Sequence, residues 1–314
     1  HVAAMCGHND AVQVLLDAEA TVDARDDADW SPLHTAAANG HSDVVKVLVD
    51  AKADIDGKNH IGSTPLYFAA RQGHNSVVKI LIDAKARVNA ENKFGWTPLH
   101  TAAQCGNCDT VQTLLDAKAD INHKNDYGDT PLLYAVECGH TGLAQVLVAA
   151  KATVDNVATD GQTPLHRAVI KGHSRILQVL IDANASVDAK DNKGCTPLSW
   201  AAGSGGTDTL KVLVNAKALI DATDHYGYTA LYCAAALGHN DTIQALLKAK
   251  ANVNVQGNDG SMPLHRAAKR GYVSTVQLLM DAHATVDGED AAEKTPLHIA
   301  AANGHDGVIR ALLE

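Results

Sequence analysis

The chain has 314 residues with 36 acidic and 26 basic side chains, and its formal net charge of −10 argues against phosphate backbones and anionic lipid surfaces as partners. Aromatic residues make up only 4% of it, so any core is thin and built from Ala, Leu and Val, which disfavours one large globular core. No apolar run approaches the roughly 20 residues that span a bilayer, no signal-peptide pattern opens the chain, and six cysteines in so long a chain do not make a disulfide framework. The expectation is a soluble, intracellular, cytoplasmic chain with no nucleic-acid partner and no direct membrane insertion.

The tetrapeptide Thr-Pro-Leu-His, or a close variant, begins at Ser31, Thr64, Thr97, Thr130, Thr163, Thr196, Thr229, Met262 and Thr295, always 33 residues apart. Residues 1–30 enter the pattern at its fourth position, and 295–314 stop at its twentieth. Counted from the Thr, Leu fills position 3, Ala position 6, Gly position 10 and Leu position 18 in every copy that contains them. Such register predicts a solenoid of about ten units, the first and last incomplete. It reads as one continuous array over 1–314. Neither end carries a polar capping unit, so the array is expected to be a segment of a longer protein, or to be capped by a neighbour.

Within each unit, Thr is a good N-cap and Pro is pre-set for a first helical turn, so a helix starts here and runs to about position 9. Gly at position 10 stops it. A second helix follows, as in Val44-Val45-Lys46-Val47-Leu48-Val49, apolar nearly all round and therefore expected to be buried between neighbouring units. A turn with Gly at position 32 then predicts a hairpin-like finger before the next helix pair.

Departures from the repeat follow along the chain. Asp29 takes the place of the first finger glycine and Glu293 that of the last, so these two fingers are expected to be deformed. Cys105 and Cys108 form a Cys-x-x-Cys pair, but Gly106 between them is the repeat glycine, and the spacing is imposed by the unit rather than by sulfur chemistry. Thirteen of the seventeen histidines fall at positions 4 or 11, where they are expected to bond backbone, and units at helix-packing distance keep successive copies about 8–10 Å apart. That is too far for zinc ligation. The Gly-rich stretch at 201–210 contains the ordinary repeat glycine and no Lys-Ser/Thr, so it is no phosphate loop. No catalytic residue, metal site or cofactor is expected.

The period, the Thr-Pro-Leu-His motif and the Gly-His step recurring in register resemble the ankyrin repeat over the whole chain. The resemblance implies an all-α solenoid of stacked helix-turn-helix units with projecting β-hairpin-like fingers. It also implies that partners bind along the fingers and the exposed side of the first helices. The pattern usually has Gly just after the second helix. Here that place holds Glu19, Lys52, Lys85, Lys118, Lys151, Asn184, Lys217, Lys250 and His283. A left-handed backbone there would cost about 1 kcal/mol per residue, partly offset where Lys faces the helix C-terminal dipole. The Lys row is either a solvated cap or a recruiter of an acidic partner.

On the surface so implied lie most of the aromatics. Phe94, Trp96, Tyr127, Trp200, Tyr226 and Tyr228 are assigned to partner contact, whereas Trp30, Tyr67 and Tyr232 are assigned to packing between units. Arg167 and Lys171, then Arg266, Lys269 and Arg270, add a basic strip to the same face. The expected function is a non-catalytic scaffold binding a protein partner with acidic and apolar recognition segments. An alternative makes the array the recognition arm of a larger enzyme, channel or secreted effector. In a third reading the array is itself a substrate: by the same resemblance, Asn89, Asn122 and Asn254 at the finger base are candidate sites of hydroxylation.

Overall fold

The computed structural model describes residues 1–314 and contains twenty helices and no strands. The chain divides into two compact units, His1–Thr159 and Asp160–Glu314.

In the first unit the first helices of the repeats are Val2–Met5, Pro32–Asn39, Pro65–Gln72, Pro98–Cys105 and Pro131–Glu137. Each packs on the next in one layer, and the second helices, from Asn9–Asp17 to Thr141–Ala149, pack likewise in another. The second unit repeats this arrangement with first helices Pro164–Ile170, Pro197–Ser204, Ala230–Leu237, Pro263–Arg270 and Pro296–Ala302. The core between the layers is as small-grained as the composition requires: Leu33, Ala36, Ala37 and Val45 in one repeat, and Leu198, Ala201, Ala202 and Leu210 in another, are at most 1% exposed.

Capping follows the sequence closely. The Thr97 hydroxyl accepts the His100 backbone N–H, and the His100 ring accepts the Thr97 N–H at Nδ1, 3.2 Å away. This is a capping box with His in the reciprocal role. Because Nδ1 is the acceptor, Nε2 carries the proton, and it donates to the Asp129 carbonyl of the following finger at 3.1 Å. The histidine of position 11 reaches the opposite way, as His41 does to the Met5 carbonyl at 2.8 Å. Its ring covers Gly7, whose φ of +73° already favours glycine and where a β-carbon would lie 2.7 Å from that ring. Where these bonds form, both histidine rows thus tie one repeat to the next.

The second helices differ from the sequence expectation. Val44, Val45 and Leu48 are buried, but Val47 and Val49 are only half-buried and Lys46 is exposed. Each second helix has one neighbour layer, and its outer side faces solvent, so a single stripe suffices. After it the chain turns through a Schellman motif: Lys52 N–H donates to Val49 C=O and Ala53 N–H to Leu48 C=O, both at 3.0 Å. All nine non-glycine residues at this place are left-handed, with φ between 60° and 74°.

Seven of the nine fingers are turns nucleated by an Asx side chain, Ala158 and Gly257 taking its place in the other two. Asn59 Oδ1 accepts the Ile61 and Ser63 N–H groups, while Gly62 N–H donates to Asn59 C=O at 2.8 Å. One backbone bond, such as Lys93 N–H to Ile61 C=O at 3.0 Å, links it to the next finger. The fingers at Asp29 and Glu293 are not deformed. Both residues hold the turn at φ 59° and 58°, and their N–H groups close it onto Asp26 and Asp290, each at 2.9 Å. The missing glycine shows up as strain, not as altered shape, because the surrounding bonds over-determine the backbone.

Candidate recognition surface

Position 33 of one repeat and position 5 of the repeat two steps on, 38 residues apart in sequence, meet where a finger leans past the first helix it precedes onto the one after it. In the first unit this places Trp30 against Phe68, with ring centroids 4.2 Å apart, and Trp96 against Tyr134 at 4.3 Å. Tyr134 is buried, donates to Asp129 and accepts from Asn125, and burial raises its hydroxyl pKa. Trp96 therefore presents part of its surface while one side of its ring packs on Tyr134. Phe94 and Tyr127, at the finger tips, are 48% and 54% exposed.

In the second unit the same spacing yields a different result. Tyr228 meets Arg266, whose guanidinium lies 5.7 Å from the Tyr228 ring centre and 5.3 Å from that of Tyr232. The two tyrosine rings stack at 3.9 Å and 6°. Arg266 Nε donates to the Tyr232 hydroxyl, which is paired with Ser261 Oγ at 2.9 Å, and Tyr228 donates to Asp259 at 3.0 Å. Burial works to raise the Asp259 pKa, but hydrogen bonds from Ser261 and Tyr228 prevail and hold it below the usual carboxylate range. Tyr226 lies along the outer side of Tyr228, with ring centroids 6.0 Å apart and planes 24° from parallel, and stays 63% exposed.

One repeat earlier the spacing pairs Cys195 with Cys233. These thiols occupy the stations that Trp96 and Tyr134 fill elsewhere. The room they leave forms a cleft of about 430 Å³. Its floor is Cys195, Ser199, Gly203, Cys233 and Ala236; Trp200 bounds one side and the Tyr228, Tyr232 and Arg266 group the other. Trp200 is fixed by its Nε1–H, which donates to the buried Asp191 at 2.9 Å, and Lys193 sits 6.0 Å from its ring centre. Arg270 and the 49% exposed Leu237 complete the rim. Burial beside Cys195 and Asp224 pushes the Cys233 thiol up to about 12, and burial beside Asp191 pushes Cys195 up to about 11, so the floor is uncharged at neutral pH.

The other residues assigned from sequence fall as follows. Lys269 and Arg270 are exposed and form no ion pair, whereas Arg167 is engaged by Asp160 at 2.9 Å. Lys171 lies at the end of the same helix. Tyr67 and Tyr232 are 9% and 3% exposed, consistent with packing. Asn89, Asn122 and Asn254 each accept, through Oδ1, a backbone N–H of the next unit at 2.8–2.9 Å. Asp23, Asp56, Asp188 and Asp221 do the same in other units, so this row is a structural rung whichever Asx fills it. Cys105 ends one helix and Cys108 begins the next, both exposed. Sequence reasoning missed Lys193, Gly203 and the Cys195–Cys233 floor; the 38-residue spacing was the signal that pairs them.

Stacked helix pairs joined by projecting fingers define a helical-repeat protein. The family model described as ankyrin repeats, in three copies, matches residues 1–59, 52–125, 118–191, 184–257 and 238–314. The chain belongs to the ankyrin repeat family. The crystal structure of the ankyrin repeat domain of Bcl-3, described as a unique member of the IkappaB protein family, is similar at TM-score 0.64 and 29% identity, covering 70% of this chain and all of that one. Comparison with curated protein sequences gave no match. Ankyrin repeats are generally protein–protein interaction modules and typically non-catalytic. No helix here is long and apolar enough to cross a membrane.

Proposed function

We propose that this chain is a non-catalytic recognition module that binds a protein partner through its finger tips and the exposed side of its first helices. The observation that carries the proposal is the placing of Phe94, Tyr127 and Tyr226, large aromatic side chains exposed at finger tips in a chain only 4% aromatic. Exposed rings of this kind supply interface hot spots. The unpaired cations Lys269 and Arg270 add a preference for acidic segments, which the overall charge of −10 does not abolish locally. The unbroken 33-residue register supports one array over 1–314, and six cysteines in so long a chain, too few for a disulfide framework, suit a reducing, cytoplasmic setting.

The test is selection from a random extended-peptide display library against the chain and against a Phe94→Ser/Tyr226→Ser/Lys269→Glu/Arg270→Glu variant. These side chains are exposed, so the variant should keep its circular dichroism spectrum. Enrichment on the original chain that falls at least about tenfold on the variant, the loss of a single hot spot, supports the proposal. Equal enrichment on both chains would overturn it.

A further inference from the structure

The second unit carries an anchor site more specific than a general binding face. Where Trp96 and Tyr134 pack together at a tilt in the first unit, Cys195 and Cys233 leave a gap, and the two flanking stations are filled by bulky groups, Trp200 on one side and the Tyr228, Tyr232 and Arg266 cluster on the other. The gap is therefore a notch with an apolar floor and aromatic walls. Its volume of about 430 Å³ lies within the 300–1,000 Å³ range of ligand sites and suits one or two side chains.

Gly203 deepens the notch. It sits inside the helix Pro197–Ser204, where glycine is about 1 kcal/mol worse than alanine, and its φ is not positive, so no backbone need explains it. A β-carbon there would meet nothing within 4 Å. The space above Gly203 is thus open.

The rim is cationic. Lys193, Arg266 and Arg270 surround the opening, and none makes an ion pair. The nearby carboxylates are already engaged: Asp191 accepts from Trp200 and from the Lys193 and Cys195 N–H groups, and Asp259 accepts from Tyr228 and Ser261. Arg266 is held in place by two phenol groups and makes no direct ion pair, although its charge is felt at Asp259, and it is pre-positioned for an incoming carboxylate.

We propose that this notch receives one apolar side chain of a partner segment whose flanking residues are Asp or Glu, the apolar group entering between Trp200 and Tyr232 and the carboxylates meeting Arg266, Arg270 and Lys193. The proposal rests on the recognition reading above and names the segment that the second unit prefers.

The test uses the full chain with Trp30→Phe and Trp96→Phe, which leaves Trp200 as its single tryptophan. The probe is a blocked peptide with one phenylalanine between two pairs of aspartates. Saturable change in Trp200 emission is expected, weakened at least tenfold by Gly203→Phe, which fills the notch, and by Arg270→Glu, which reverses a rim charge. Replacing the probe's aspartates by lysines, or its phenylalanine by glycine, should abolish saturation. Absence of binding, equal affinity for the Gly203→Phe variant, or equal binding of inorganic phosphate alone would overturn the proposal. If the peptide selection described above still gave finger-dependent binders, only the notch assignment would fall. If the selection failed as well, both would.

Discussion

The residue just past each second helix offers a direct measure of what this sequence gives up relative to glycine. Nine side chains, Glu19 through His283, are held at φ between 60° and 74° and all are exposed. A left-handed residue with a β-carbon costs about 1–2 kcal/mol, and glycine would return about 0.5–1 kcal/mol of that as backbone entropy. Each change to glycine should therefore stabilise by about 0.5–1 kcal/mol, less a few tenths where the lost Lys had faced a helix C-terminus. The ordering is the sharper expectation. Glu19→Gly should gain most, because a carboxylate at that end opposes the helix dipole, Lys52→Gly less, and Asn184→Gly least, since Asn tolerates this conformation. The triple change at Lys52, Lys85 and Lys118 should approach additivity, about 1–2 kcal/mol after the dipole term is deducted at each, since the sites lie on separate repeats. Urea unfolding followed by circular dichroism measures it, with Lys52→Ala as the control that loses charge but keeps strain. A triple-glycine midpoint at or below that of the original chain would refute the reasoning.

Other consequences can be measured alongside. Burial pushes His34 and His100 down to about 4 from an ordinary value of 6.5, against the pull of their bonds to the Ser63 and Asp129 carbonyls. The neutral rings contribute stability that is present above pH 6.5 and is lost as pH falls towards 4. At pH 5 the loss is about 2 kcal/mol for each, and His100→Leu, the residue that position 133 carries, should lower stability at pH 7 yet flatten the fall between pH 7 and 5 by that amount in urea titrations. Thiol labelling at pH 8 should show Cys6, Cys105 and Cys108, all exposed, reacting first, and Cys233 on the order of a hundredfold more slowly because so little thiolate forms. Equal rates would show that the floor of the notch is open and polar. Asp29→Gly should relieve the one strained finger of the first unit by about 0.5–1 kcal/mol, read as slower hydrogen exchange at the Asp29-position N–H and a higher unfolding midpoint.

The sequence by itself determined the architecture, because a 33-residue period in register lets local chemistry repeat without ambiguity. Thr and Pro start each first helix, Gly106 and its counterparts stop it, and Leu99 with Ala102 mark the buried face. It also placed the histidines as backbone partners. Tertiary structure decided what those rules leave open. The second helices proved buried on one stripe only, since a two-layer stack covers one of their sides. The fingers at Asp29 and Glu293 kept their shape, since neighbouring bonds fix a backbone that the residues themselves disfavour. Above all, contact between positions 38 residues apart decided whether a ring is packed or free: it set Trp96 on Tyr134, and it put two small thiols together beside Trp200 and Arg266. A residue's place in the repeat names its neighbours in kind, but the volume left between two units depends on both side chains at once, and only their juxtaposition opened the notch.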